Sequence, residues 1–135
     1  MINFGDRPAR LGRVLLRGSM VILLMVAACD SGPSGPGTLE ARVRSEGLGA
    51  AVLEVEGAGI QGFVGRGSTQ VYSGPVPGRT DVYRVIVVDP VGGDIGFEIQ
   101  VDDVGMDGPI LTVITAARTD NGTMAAAGVA VGVER

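Results

Sequence analysis

Between Thr38 and the C-terminus, apolar and polar residues alternate in short runs separated by Gly, Pro and Asp. A period of two with one apolar face predicts antiparallel β-strands packed on one side. In the first run Leu39, Ala41 and Val43 share a face opposite Glu40, Arg42 and Arg44, and Ser45 to Gly49 reads as the turn that ends it. A second run places Ala51, Leu53 and Val55 inward and Glu54 and Glu56 outward, and Gly57 to Gly59 breaks it. Ile60 to Val64 and Thr69 to Tyr72 are shorter candidates. Two prolines make Gly74 to Gly78 a loop, since proline donates no ladder hydrogen bond and cannot sit in a central strand.

Val82 to Val88 is apolar on nearly both faces, as a central strand would be, and Asp89-Pro90 ends it. The cleanest alternation is Ile95, Phe97, Ile99 and Val101 against Gly96, Glu98, Gln100 and Asp102. Ile110 to Ala117 predicts another strongly apolar strand, followed by an Asp120-Asn121-Gly122 hairpin turn. The last segment, Thr123 to Val133, has Val129, Val131 and Val133 on one face and only Gly128, Ala130 and Gly132 on the other. That bare face is either covered by an adjacent strand or belongs to an edge able to pair with another chain. No stretch has helical periodicity. Roughly seven or eight short strands with regular turns predict an all-β fold, a small antiparallel β-sandwich of immunoglobulin-like or jelly-roll type.

The N-terminal part of the 135-residue chain follows different rules. Met1 to Arg17 carries Arg7, Arg10, Arg13 and Arg17 against the single acid Asp6. Gly18 to Ala28 is an apolar run of eleven residues. As a helix it would be about 16 Å long, short of the roughly 20 residues that span a bilayer. A charged n-region, an apolar core and small residues before a cut site make a secretory signal peptide. Its last residues, Val26-Ala27-Ala28-Cys29, resemble the lipobox of bacterial lipoproteins. The resemblance covers the leader alone. It implies a diacylglyceryl thioether on Cys29, signal-peptidase cleavage between Ala28 and Cys29, and anchoring by several acyl chains. Asp30, next in the chain, resembles the inner-membrane retention signal of enteric lipoproteins.

The expected organisation is therefore a signal peptide over 1–28, the lipidated Cys29 with a Gly/Pro/Ser tether over 29–37, and a β-sandwich over 38–135. Asp30 to Gly37 contains only residues that resist helix and strand, so it reads as a tether. Localisation follows: the cell membrane, lipid-anchored, facing outside the cytoplasm on the periplasmic or extracellular side.

Charge and chemistry narrow the function. The leader holds +3, so the remaining residues carry −7 of the chain's formal −4. An acidic domain with four aromatics, Phe63, Tyr72, Tyr83 and Phe97, lacks the basic stacking face that nucleic acid requires. There is no His, every basic residue is Arg, and the single Cys is assigned to lipid. The commonest general base, metal ligand and nucleophile are thus missing. Catalytic residues and cofactors are expected to be none.

Asp102, Asp103 and Asp107 form the one carboxylate cluster. They are weak calcium candidates, because their spacing fits no defined calcium loop and a solvated turn explains them as well. Gly57 to Gly62 formally matches G-x-G-x-x-G but opens no helix to hold a phosphate. The sequence points to a non-enzymatic, lipid-anchored interaction or structural module of the cell envelope. Its partners are the membrane, through the lipid, and an envelope protein. The alternatives are a lipoprotein that binds a small molecule, glycan or calcium and, more remotely, a carboxylate-dependent hydrolase.

Overall fold

The computed structural model describes residues 32–135; the expected signal peptide, the expected cleavage between Ala28 and Cys29 and the expected lipidation of Cys29 lie outside the described residues. The domain is a β-sandwich of nine strands. In chain order these are β1 (Gly37–Arg44), β2 (Leu48–Glu56), β3 (Ile60–Gly65), β4 (Gln70–Pro75), β5 (Val82–Val88), β6 (Ile95–Val101), β7 (Ile110–Arg118), β8 (Thr123–Met124) and β9 (Ala130–Glu134). A four-stranded sheet has the order β3-β6-β1-β9, a five-stranded sheet the order β4-β5-β2-β7-β8, and all pairs are antiparallel. Only β4–β5 and β7–β8 are hairpins within a sheet; every other connection passes from one sheet to the other.

The inner faces are the ones the alternation marks. Leu39, Ala41 and Val43 from β1 and Ile95, Phe97 and Ile99 from β6 meet Ala51, Leu53 and Val55 from β2 and Val85 and Val87 from β5. Phe97 is the largest fully buried side chain. Phe63 lies 6.5 Å from it and packs edge-on to Tyr83 of the opposite sheet at 5.7 Å, so aromatic contacts bridge the sheets beside β3.

Several boundaries differ from expectation, each for a local reason. The first turn closes two residues early: the Leu48 amide donates to the Ser45 carbonyl at 3.2 Å, and Gly49 is taken up by a register shift against β7. β4 extends through Gly74 and Pro75, which were expected in a loop, because β4 is an edge strand and a missing donor there costs no ladder bond. β5 lies between β4 and β2 with one face to solvent, so Arg84 and Ile86 are exposed although the strand is apolar along most of its length. In β7 the register shifts between Val113 and Thr115, leaving Ile114 without a partner on β2. This bulge moves the inward set from Leu111 and Val113 to Ala116.

The expected last strand, Thr123 to Val133, is three pieces. β8 is two residues long, a 3-10 turn follows at Ala126–Gly128, and β9 then joins the other sheet. The three small alanines between Met124 and Gly128 offer no apolar face for a continuous strand to bury.

The folded body also reaches into the expected tether. Gly35 donates its amide to Asp103 Oδ1 at 2.9 Å, and its carbonyl accepts from the Val104 amide at 2.9 Å.

Candidate functional site

The three acidic candidates occupy the β6–β7 loop, where one of them has a structural role. Asp103 Oδ1 accepts from the Gly35 and Gly105 amides, at 2.9 and 2.8 Å. These two backbone donors hold its carboxyl below the usual carboxylate range. Asp102 and Asp107 are exposed, and the Asp102 amide donates to the Gly59 carbonyl across the loop end. Among the described residues no three acidic side chains converge as metal ligands would. The Gly57–Gly62 stretch is the β2–β3 turn and the start of β3, with Gly59 at φ 72°, and no helix follows it.

The other carboxylates with clear perturbations all move downward. Asp89, which the sequence marks only as a strand end, is a buried hub. Its Oδ1 accepts from Ser68 Oγ at 2.8 Å and the Val91 amide at 2.9 Å, and its Oδ2 accepts from Thr69 Oγ1 at 3.2 Å. The Ser68 hydroxyl foremost, with the Val91 amide and Thr69, keeps it ionised below its ordinary value. Glu40 is held down chiefly by Arg42, with Arg66 on its other oxygen, and Glu54 chiefly by Arg79, with Arg84 beside it.

Glu40, Arg42, Arg66, Ser68, Thr69, Asp89 and Asp94 line a polar cleft of about 330 Å³. Its two perturbed acids, Glu40 and Asp89, are committed to hydrogen bonds that favour the charged form.

The sandwich is closed along one side and open along the other. Where β3 and β4 meet, a tight connection runs between the sheets, and the Arg66 carbonyl accepts from the Thr69 amide at 3.0 Å. On the opposite side, β8 pairs only with Ala116 and Ala117 of β7, so Ile110 to Thr115 has no neighbour on that edge. β9 faces this gap from the other sheet and pairs with β1 alone. Between them lies a groove of about 420 Å³. Leu39, Leu111, Val131 and Val133 line it, with Pro109 and Arg135 completing the wall. Leu39 is buried at its floor, while Leu111, Val131 and Val133 are core-facing side chains that the missing length of edge strand leaves partly exposed. The adjacent Ile110 and Ile114 are 67% and 45% exposed.

A second apolar surface runs across the outer face of the five-stranded sheet. Tyr72, Ile86 and Val52 stand opposite one another on β4, β5 and β2, and Ile114 lies near the end of the row. The sequence signals for these surfaces are weak. Leu111, Val131 and Val133 carry the alternation of any core position, and only the two-residue length of β8 exposes them. Among the described residues no helix is long and apolar enough to cross a membrane. No family model, no curated protein and no solved structure matches this chain.

Proposed function

We propose that the chain is a lipid-anchored cell-envelope protein whose β-sandwich is a non-enzymatic interaction module facing outside the cytoplasm. The observation that carries the interaction reading is the open seam between β7 and β9. There two unpaired strand edges flank a groove of mixed polar and apolar lining, a combination suited to accepting another chain by strand addition. The anchoring reading rests on Val26-Ala27-Ala28-Cys29 after a short apolar run. Two of the three carboxylates of the polar cleft, Glu40 and Asp89, are tied into structural hydrogen bonds, which favours a binding role over acid–base chemistry.

With Gly35 held to the β6–β7 loop, only Asp30 to Ser34 separate Cys29 from the folded body. Five extended residues reach about 17 Å, so an anchored sandwich stands close to the bilayer. Fractionation of cells making the full chain tests the reading. The wild type should enter the detergent phase and be cleaved by external protease once the envelope is opened. Cys29→Ala should leave the membrane fraction or remain as unprocessed precursor. A Cys29→Ala chain processed and retained like the wild type would contradict it.

A further inference from the structure

The two sheets have four outer edges, and two are blunted against strand addition while a third is interrupted: beyond the short β8, the bare edge of β7 is broken by the bulge at Ile114. β4 ends in Pro75, and β3 carries an unpaired Gln61 at a register shift against β6. β9 has no proline and no bulge, and its one charged side chain, Glu134, is at its end. Its exposed face is Ala130 and Gly132, and its inner face presents Val131 and Val133 beside the groove.

The carboxylate on β9 makes no ion pair among the described residues of its own chain, since Arg42, the nearest cation opposite Gly132, is engaged by Glu40. Glu134 stands directly opposite Glu40 on β1, and Glu40 stands opposite Glu98 on β6, so three carboxylates lie in one row across the sheet. Like charges in directly opposed positions are unfavourable. Glu40 and Glu98 have Arg66 between them, but Glu134 has no ion-pair partner among the described residues. Arg44, at the other end of the β1–β9 pairing opposite Ala130, is half exposed and meets only Asp94, at 3.5 Å.

We propose that β9 pairs antiparallel with β9 of a second copy of this chain, across a two-fold axis at Gly132. An isologous contact of this kind is the commonest form of homodimer. This register pairs all five residues of β9 and sets Glu134 opposite the partner's Ala130. The partner's Arg44 is the next residue in that row, about 10 Å away in strand spacings, a span that Arg and Glu side chains bridge over an alanine. Glu134, unpaired within one chain, then gains a cation in each copy by symmetry. On the inner side, the partner's Val131 and Val133 cover the groove beside Leu111, and the four-stranded sheets join into one of eight strands.

The inference rests on reading this seam as the interaction surface, and it does not require the lipid. Cysteine crosslinking of the full chain in cells tests both separately. Gly132 has open space where a Cβ would sit, as does Gly74 on the β4 edge, so either accepts cysteine without disturbing the fold. With a short bis-maleimide, Gly132→Cys should give a dimer and Gly74→Cys should not.

In the Gly132→Cys chain, Arg44→Glu or Glu134→Arg should each lower the dimer constant roughly tenfold, since two symmetry-related exposed pairs turn repulsive. The double reversal should restore it. No dimer with Gly132→Cys, equal dimer with Gly74→Cys, or a double reversal no better than the singles would overturn the proposal. Crosslinking of the wild-type chain would show a free Cys29 thiol and count against the anchor alone; the β9 result is then read in a Cys29→Ser chain.

Discussion

Replacing Asp89 by alanine strips one acceptor from three donors that join the β3–β4 turn to the β5–β6 loop. The cost depends on which donors water can reach. Thr69 is 7% exposed, so its hydroxyl is left buried and unpaired, at about 1–3 kcal/mol. Ser68 and Val91 are exposed and recover hydration, so each loses about 0.5 kcal/mol. Asp89→Ala should therefore destabilise by about 2–4 kcal/mol. Asp89→Asn keeps an oxygen for Ser68 and Val91, and Thr69 Oγ1 can accept from the new amide, which limits the loss to about 1 kcal/mol.

The two variants also separate by pH. Hydrogen bonding depresses the Asp89 pKa in the folded state, so the unfolded chain takes up the proton first as pH falls. The stabilisation is fully present above the ordinary Asp value of about 3.9 and is lost as pH drops through the depressed folded value. Urea unfolding followed by far-UV circular dichroism measures this at pH 7 and in steps down to pH 3. The gap between wild type and Asp89→Asn should narrow progressively as pH falls below about 4. An Asp89→Ala protein within about 0.5 kcal/mol of wild type at pH 7, or a gap unchanged by acid, would refute the hub.

Two further substitutions probe features seen only in the structure. Gly65→Ala should destabilise markedly, because the new Cβ would run into the Thr69 carbonyl at the closed seam; Gly74→Ala, with open space around it, should be neutral, and thermal melts compare them. Asp103→Ala should release Gly35 and speed proteolysis and amide exchange near the start of β1, while millimolar calcium leaves the wild-type Tm unchanged. A calcium-dependent rise in Tm that vanishes in Asp103→Ala and Asp107→Ala would restore a metal role to that loop.

What the sequence reveals here is local, and what it hides is contact between distant segments. β1, β2 and β6 are legible because each buries one face and alternates without interruption, as at Ile95, Phe97, Ile99 and Val101. Strand order is illegible because most connections change sheets, leaving neighbours such as β1 and β6 far apart in the chain. Apolar content alone could not place the bulge at Ile114, and Pro75 reads as a loop until β4 is known to be an edge. The acids show the same division. Asp102, Asp103 and Asp107 are visible as a cluster, but the partner that gives Asp103 its role is Gly35, 68 residues away. The groove at the open seam follows from β8 being too short to cover β7, a length set by the small residues after Met124.

The anchor is the claim on which localisation and the interaction reading in the envelope both depend, and the intact mass of the membrane-extracted protein tests it most directly. The expected species is a chain that begins at Cys29 and carries the added mass of a diacylglyceryl thioether and an N-terminal acyl group, absent from Cys29→Ala. A mature or full-length chain with an unmodified Cys29 would contradict it.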